Sequence, residues 1–199
     1  TPDHIKEAAK KAIAIGRKYD TLLEVYFDGQ GYAQKDEIAQ VRKYHKNPNM
    51  WDYFLRTRIA VDRLEDLLDE KEGNLDKVQM LFADMEEREE AWKELEREGV
   101  FELVGSLQYN IEINAVGVNK GTGLVNLGKM LGIRREEIMA CGDGDNDIAM
   151  LKEVGFGVAM ANAEEKVKAV ADYITERNND EGAAKAIEKF VLKRGGESC

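Results

Sequence analysis

Cys141-Gly142-Asp143-Gly144-Asp145-Asn146-Asp147 puts three carboxylates and a carboxamide within five residues. The apolar run 138–141 precedes the loop, and Ile148 and Leu151 continue an apolar helix face out of it, so the loop joins a strand to a helix. In open α/β sheets ligands bind beyond the carboxyl ends of the strands, where such a loop lies. One aspartate there would be explained as a helix N-cap or a turn former. Three are not, because like charges this close repel unless a cation or a donor holds them. Asp143, Asp145 and Asp147 occupy the first, third and fifth places of an EF-hand, but its glycine and its bidentate glutamate are replaced by Ile148 and Val154. Mg²⁺ is the better fit, since it keeps several waters and needs only one or two carboxylates beside a substrate phosphate.

Downstream and just upstream of this loop, small residues and glycines gather at the ends of short apolar runs. The pattern predicts a helix over 121–132 with Leu124, Leu127 and Leu131 on its apolar face, a strand over 138–141 and a helix over 147–154. A strand over 157–160, a helix over 163–171, a strand over 173–175 and a helix over 180–192 follow. Strands alternating with helices at this spacing form βαβ units and a parallel sheet. The first half reads differently: a helix over 3–18 feeds a hairpin, 22–27 and 32 onward, through Asp28-Gly29-Gln30-Gly31. Helices over 35–45 and 51–72 flank the loop 45–49. Strands over 78–83, 101–105 and 109–113 and an acidic helix over 84–98 complete it. His4 and His45 both fall in polar segments and are expected to be exposed.

Composition sets limits. The chain has 199 residues, 39 Asp+Glu and 29 Lys+Arg, for a net charge of −10. Without a basic block it is not a nucleic-acid scaffold, whose affinity comes from cationic contacts to phosphate. No apolar run approaches the length of a membrane span, and the first twenty residues lack the features of a signal peptide. Two cysteines, Cys141 and Cys199, are too few for a disulfide framework, so a reducing, cytoplasmic setting is expected, with Cys141 a core thiol and Cys199 a terminal residue. The sequence starts at Thr1-Pro2-Asp3, which already reads as a helix cap and first turn, as though the chain began in the middle of something.

Two further segments lie at strand-to-helix junctions. Asn119-Lys120-Gly121-Thr122 places a lysine at a helix entry, where the macrodipole disfavours it unless something anionic is near. It lacks the order of a P-loop. Ala161-Asn162-Ala163 follows a strand and precedes a helix; alone, Asn162 would be read as an N-cap.

In this order, IEINAVGVNKG, CGDGDNDIAML, GFGVAMANA, ADYIT and NNDEG resemble the Cof-type branch of the haloacid dehalogenase (HAD) superfamily of phosphohydrolases, over about 111–184. The resemblance implies an α/β fold in which residues 114–199 form the carboxyl-terminal part of a doubly wound, Rossmann-like core and residues 1–113 an α/β cap. It implies a Mg²⁺-dependent phosphatase acting on small phosphorylated metabolites through an aspartyl-phosphate. By position, Lys120 resembles the lysine that neutralises the nucleophile and the transferred phosphoryl group. Asp143 resembles the carboxylate that binds Mg²⁺, and Asp147 the second acid that orients the metal's waters or the lysine. Asn146 and Asn162 resemble residues that hydrogen-bond near the phosphate.

The family's nucleophile, the first aspartate of a DxDGT-like motif, finds no match. Tyr26-Phe27-Asp28-Gly29-Gln30 comes nearest, but has tyrosine and glutamine at the decisive places and reads as a hairpin. The upstream Ser/Thr motif is likewise without a match. The expectation is therefore a cap plus half a core, short of about 80 residues of a typical core half. On that reading the strand at 138–141 has an unpaired edge, completed by the rest of a longer protein, by another chain or not at all, and the 199 residues alone are inactive. The alternative is a non-catalytic module that binds metal or phosphate only.

Overall fold

The computed structural model describes residues 2–192, so Cys199 lies outside the described residues. The chain divides into two compact units, Thr1–Val116 and Gly117–Cys199, with the division three residues past the 113/114 boundary expected from sequence.

In the first unit, α1 (Pro2–Gly16) leads into the hairpin β1 (Thr21–Phe27) and β2 (Gln30–Gln34). Asp28 and Gly29 form its two-residue loop, with φ of 48° and 79°. This is the Asp-Gly chemistry that a type I′ hairpin turn selects, because its twist matches that of the strands. Then come α2 (Lys35–Ile38), α3 (Val41–Tyr44), α4 (Trp51–Thr57), β3 (Ile59–Val61), α5 (Leu64–Glu70), β4 (Leu75–Phe82), α6 (Met85–Glu98), β5 (Phe101–Val104) and β6 (Asn110–Ala115). The six strands form one sheet in the order β3-β2-β1-β4-β6-β5, antiparallel except for the β2–β3 pair.

Alternation along β1 sends Leu23, Val25 and Phe27 into a large core shared with Ala12 and Ile13 of α1, Leu64 and Leu68 of α5, and Ala91 and Leu95 of α6. Leu22 belongs to a smaller core on the other face, with Val41, Tyr44, Phe54 and Leu81. On that same face Glu24 is fully buried and ion-paired to Arg58. Glu24 Oε2 also accepts from Gln79 Nε2 at 2.9 Å, and its Oε1 from the Tyr26 hydroxyl at 3.0 Å.

Two expectations fail in this unit. The helix read over 51–72 is interrupted by β3, whose Ile59, Ala60 and Val61 pair with Tyr32, Ala33 and Gln34. Tertiary pairing of a β-branched segment overrides the helical spacing of Leu55 and Ile59, both of which are exposed. His45 is buried rather than exposed. It lies edge-on to Phe54 and Tyr109, with the Tyr109 hydroxyl 3.1 Å from Nδ1. The polar run around it hid an imidazole that completes an aromatic cluster.

The second unit contains α7 (Lys120–Met130), β7 (Met139–Gly142), α8 (Ile148–Glu153), β8 (Phe156–Ala159), α9 (Glu165–Lys168), β9 (Tyr173–Ile174) and α10 (Gly182–Phe190). Its three strands are parallel in the order β7-β8-β9, as the alternation of strands and helices predicts. Among the described residues β7 pairs only with β8. Leu151, Ala159, Ala163 and Val167 form the core between this sheet and α8 and α9. Phe190 of α10 packs on Phe156 and Tyr173 with ring centroids 4.7 and 4.8 Å away.

The face of α7 that packs is not its leucine face. Gly121 and Gly128 are its buried residues, whereas Leu127 and Leu131 are exposed. A Cβ on Gly121 would meet the Ala149 carbonyl oxygen at 2.8 Å, so the helix approaches α8 through a bare backbone. No helix among the described residues is long and apolar enough to cross a membrane.

Candidate active site

Three loops leave the carboxyl ends of the parallel strands: 143–147 after β7, 160–164 after β8 and 175–181 after β9. The first is closed by its own last acid. Asp147 Oδ2 accepts from the backbone N–H groups of Asp143 and Gly144 at 3.0 and 3.1 Å, and Asp147 is buried. Gly142 makes this closure possible, because a Cβ there would lie 2.5 Å from the Asp147 Cβ.

Asn119 caps α7. Its side chain accepts from the N–H groups of Gly121 and Thr122 at 2.9 and 3.0 Å, while the Thr122 hydroxyl accepts from the Asn119 N–H at 3.2 Å. That reciprocal cap fixes Lys120 as the first residue of the helix. The Gly121 contact brings the helix close to α8, and Lys120 Nζ reaches Asp147 Oδ1 at 2.6 Å. Burial disfavours the charged Asp147 carboxylate, but the Lys120 ammonium and the two N–H donors outweigh that and hold its pKa below the usual range. Lys120 and Asp147 thus enter one ion pair, half exposed on the lysine side.

Each carboxylate of the loop has a different partner. Asp147 has Lys120, and Asp145 has Lys166 at 2.5 Å. Among the described residues Asp143 has only a neutral side-chain partner, Asn162 Nδ2, which donates to its Oδ2 at 3.0 Å. Of the three, the exposed Asp143 is therefore the one with no cationic partner among the described residues. The carboxamide oxygen of Asn162, Oδ1, accepts from the Asn178 N–H at 2.9 Å. Asn146 is partly exposed, and among the described residues its side chain has no hydrogen-bond partner.

This donor set suits a divalent cation in part. Among the described residues no group of three or more His, Cys, Asp or Glu side chains stands ready to hold a metal. One exposed, uncompensated carboxylate at the mouth of a parallel sheet is nonetheless what Mg²⁺ asks of a protein when water and phosphate supply the rest. Cys141, the residue before Gly142 in β7, is half-buried, and that burial raises its thiol pKa.

The profile of the haloacid dehalogenase-like hydrolase family matches residues 3–187. The chain belongs to that family. Over 105 residues it is 49% identical to the 5-amino-6-(5-phospho-D-ribitylamino)uracil phosphatase YcsE of Bacillus subtilis (strain 168), covering 53% of this chain and 42% of that one. Over 94 residues it is 45% identical to the phosphoglycolate phosphatase of Methanosarcina mazei, covering 47% of this chain and 41% of that one. The chain thus spans less than half the length of these curated relatives. The solved structure of a haloacid dehalogenase-like hydrolase from B. subtilis superimposes with a TM-score of 0.76 at 25% identity, covering 94% of this chain and 71% of that one.

Within this haloacid dehalogenase-like fold, Lys120, Asp143, Asp147 and Asn162 form one connected set at the carboxyl edge of the sheet. Asp28 is a turn residue of the β1–β2 hairpin, as the sequence reads, and its Oδ1 accepts from Asn74 Nδ2 at 3.0 Å. Sequence reasoning missed Lys166. The signal was present: it is a lysine in the first turn of a helix, the same anomaly that drew attention to Lys120. The Asn178 amide left no signal, because a backbone donor has no residue type.

Proposed function

We propose that this chain contributes the metal- and phosphate-binding half of a Mg²⁺-dependent phosphatase for small phosphorylated metabolites. The observation that carries the reading is the partition of charge at 143–147: two carboxylates neutralised by lysines and one left for a cation. The names of the matched relatives, both phosphatases, support the reaction class. When bound, Mg²⁺ supplies charge neutralisation at the phosphoryl oxygens. Asp143 would hold it. Lys120, positioned by the Asn119 cap and by Asp147, presents an ammonium to the charge that develops during phosphoryl transfer. Asp147 keeps that ammonium in place and holds the Asp143 backbone by its other oxygen. Asn146 and the second Nδ2 hydrogen of Asn162 are donors open to phosphate. The attacking carboxylate is placed outside these 199 residues, since no strand here ends in a DxDGT-like motif, and it would form the aspartyl-phosphate there.

Assay of the chain with an aryl phosphate and Mg²⁺ is expected to give no turnover. Mg²⁺-dependent turnover abolished by Asp143→Asn would overturn the placement of the nucleophile. Binding of Mn²⁺, followed by its electron paramagnetic resonance signal, tests the metal reading separately: the chain should bind it and Asp143→Asn should not. That no three ligands gather among the described residues favours a second reading, a module that binds phosphate without metal. Phosphate binding undiminished by a chelator would support that one instead.

A further inference from the structure

We propose that Asn162 is a positioning residue for Asp143, and that it works as a strut whose far end is the loop after β9, so that this loop sets the orientation of the carboxylate. The proposal rests on the reading of Asp143 as a metal ligand.

Asp143 is an exposed side chain on a loop whose backbone is secured by Asp147, but that bond leaves the rotation of its own carboxylate free. The restraint recorded on the side chain is the bond from Asn162 Nδ2 to Oδ2, at 3.0 Å. A carboxamide can hold a neighbour in place only if it is itself held, and Asn162 is: its Oδ1 accepts from the Asn178 N–H at 2.9 Å. The two bonds use opposite ends of one planar group, so turning the carboxamide breaks both.

The anchor is rigid. Glu181 adopts the left-handed region at φ 58°, a conformation that costs energy for a residue other than glycine and persists only where the surroundings impose it. Gly182 follows, and a Cβ there would lie 2.1 Å from the Glu176 carbonyl oxygen. The Gly182 N–H donates to the Arg177 carbonyl at 3.1 Å, and the buried Thr175 hydroxyl donates to the Gly182 carbonyl at 2.7 Å. Across the mouth, the Ala161 N–H donates to the Glu176 carbonyl at 3.2 Å, which ties the loop to the segment that carries Asn162. Both ends of 176–182 are therefore fastened, and the amide it presents to Asn162 is fixed in space. Groups that orient a metal ligand in this manner change affinity by about 10–100-fold when removed.

The strut can also be cut at its far end. Arg177 is extended, at φ −65° and ψ 158°, which is the conformation a following proline requires, and Asn178 opens a 3₁₀ turn, where proline is accepted. Asn178→Pro removes the N–H, and with it the bond inside the turn that Asn178 Oδ1 accepts from the Asn179 N–H at 2.9 Å, whereas Asn162→Ala removes both bonds of the strut. With ¹⁵N-labelled chain titrated with Mg²⁺, the Gly144 amide reports the metal and the Asn178 amide reports the strut. Both should shift with one midpoint in the unaltered chain, and hydrogen exchange at Asn178 should slow on saturation. Asn162→Ala should raise the Gly144 midpoint about tenfold. Asn178→Pro should raise it in the same direction, and the double variant should be no worse than Asn162→Ala, since the second cut severs a strut already lost. A merely structural role would lower the melting temperature of the variants and leave the midpoint where it was. If Gly144 shifts but Asn178 does not, and Asn178→Pro leaves the midpoint unchanged, the strut is overturned while the metal reading stands. If no amide responds to Mg²⁺, the metal reading fails and takes the strut with it.

Discussion

Each unit has a carboxylate paired with a cation, and the two pairs are built to opposite ends. Glu24 is fully buried, its partner Arg58 is nearly so, and three side chains satisfy the carboxylate oxygens. Arg58 also donates to the Tyr26 hydroxyl at 2.6 Å and to Thr57 Oγ1 at 2.8 Å, and stacks over Phe54. Nothing there is left over for a ligand. At 143–147 the ion pairs are open to water on the lysine side, and one carboxylate, Asp143, has no cationic partner among the described residues. A closed, saturated polar network fixes a fold; an exposed one with an imbalance can take something from solution.

The largest effect that tests this contrast is expected at Arg58. Arg58→Ala leaves Glu24 as an unpaired buried charge and should destabilise the first unit by about 3–5 kcal/mol. Both tryptophans, Trp51 and Trp92, lie in that unit, so denaturant unfolding followed by tryptophan emission reads it directly. Lys120→Ala, at a half-exposed pair, should cost the second unit no more than about 1 kcal/mol by hydrogen exchange. Equal losses at the two sites would break the comparison.

Next comes Gly121→Val. Its side chain meets the Ala149 carbonyl, where no flexible side chain can give way, so α7 must move from α8 at about 1–3 kcal/mol. The Lys120–Asp147 bond should lengthen with it, visible as altered Gly144 and Asp143 amide resonances. A variant with unchanged stability and spectrum would show that backbone contact does not set the reach of Lys120.

Smaller in energy but sharper in direction is the response to charge around the loop. Asp143→Asn should weaken Mn²⁺ binding at least about tenfold, or 1.4 kcal/mol. Lys166→Ala, which frees Asp145, should leave binding equal or tighter. Weaker binding in Lys166→Ala would mean that the lysine organises the site rather than merely neutralising it.

The smallest effect concerns His45. Burial, together with the nearby Arg58 charge, pushes its pKa below the usual value. A histidine depressed in the folded state contributes stability above its unfolded pKa of about 6.5, and that contribution fades as pH falls toward the folded pKa, because the unfolded chain takes up a proton the native one refuses. Between about pH 7 and 5 the unaltered chain should therefore lose stability faster than His45→Asn, in the unfolding midpoint read by tryptophan emission. Parallel pH profiles would place the imbalance elsewhere.

Much of this was legible in one dimension, for identifiable reasons. The parallel strands of the second unit were readable because short apolar runs alternate with helical ones, and the acidic loop because four chemistry-bearing side chains are adjacent in the chain. Asp28-Gly29 announced its hairpin because only a few residue types accept two positive φ values in succession. The interruption of 51–72 was not legible, since Ile59, Ala60 and Val61 keep helical spacing and become a strand only when β2 offers an edge. His45 was misread because neighbours in sequence are polar while neighbours in space are aromatic.

Sequence by itself determined the residue types at the carboxyl edge of the parallel sheet: which acids stand at 143–147, which lysine enters α7, which asparagine follows β8. Those are local properties of short segments, set by strand ends and helix caps. Tertiary structure decided how they divide the work. Lys120 goes to Asp147 because Gly121 lets α7 approach α8, Lys166 takes Asp145, and Asn162 connects Asp143 to the Asn178 amide, sixteen residues beyond Asn162 itself. Pairing of charges depends on distance in space, falls steeply with it, and is invisible in the order of the residues.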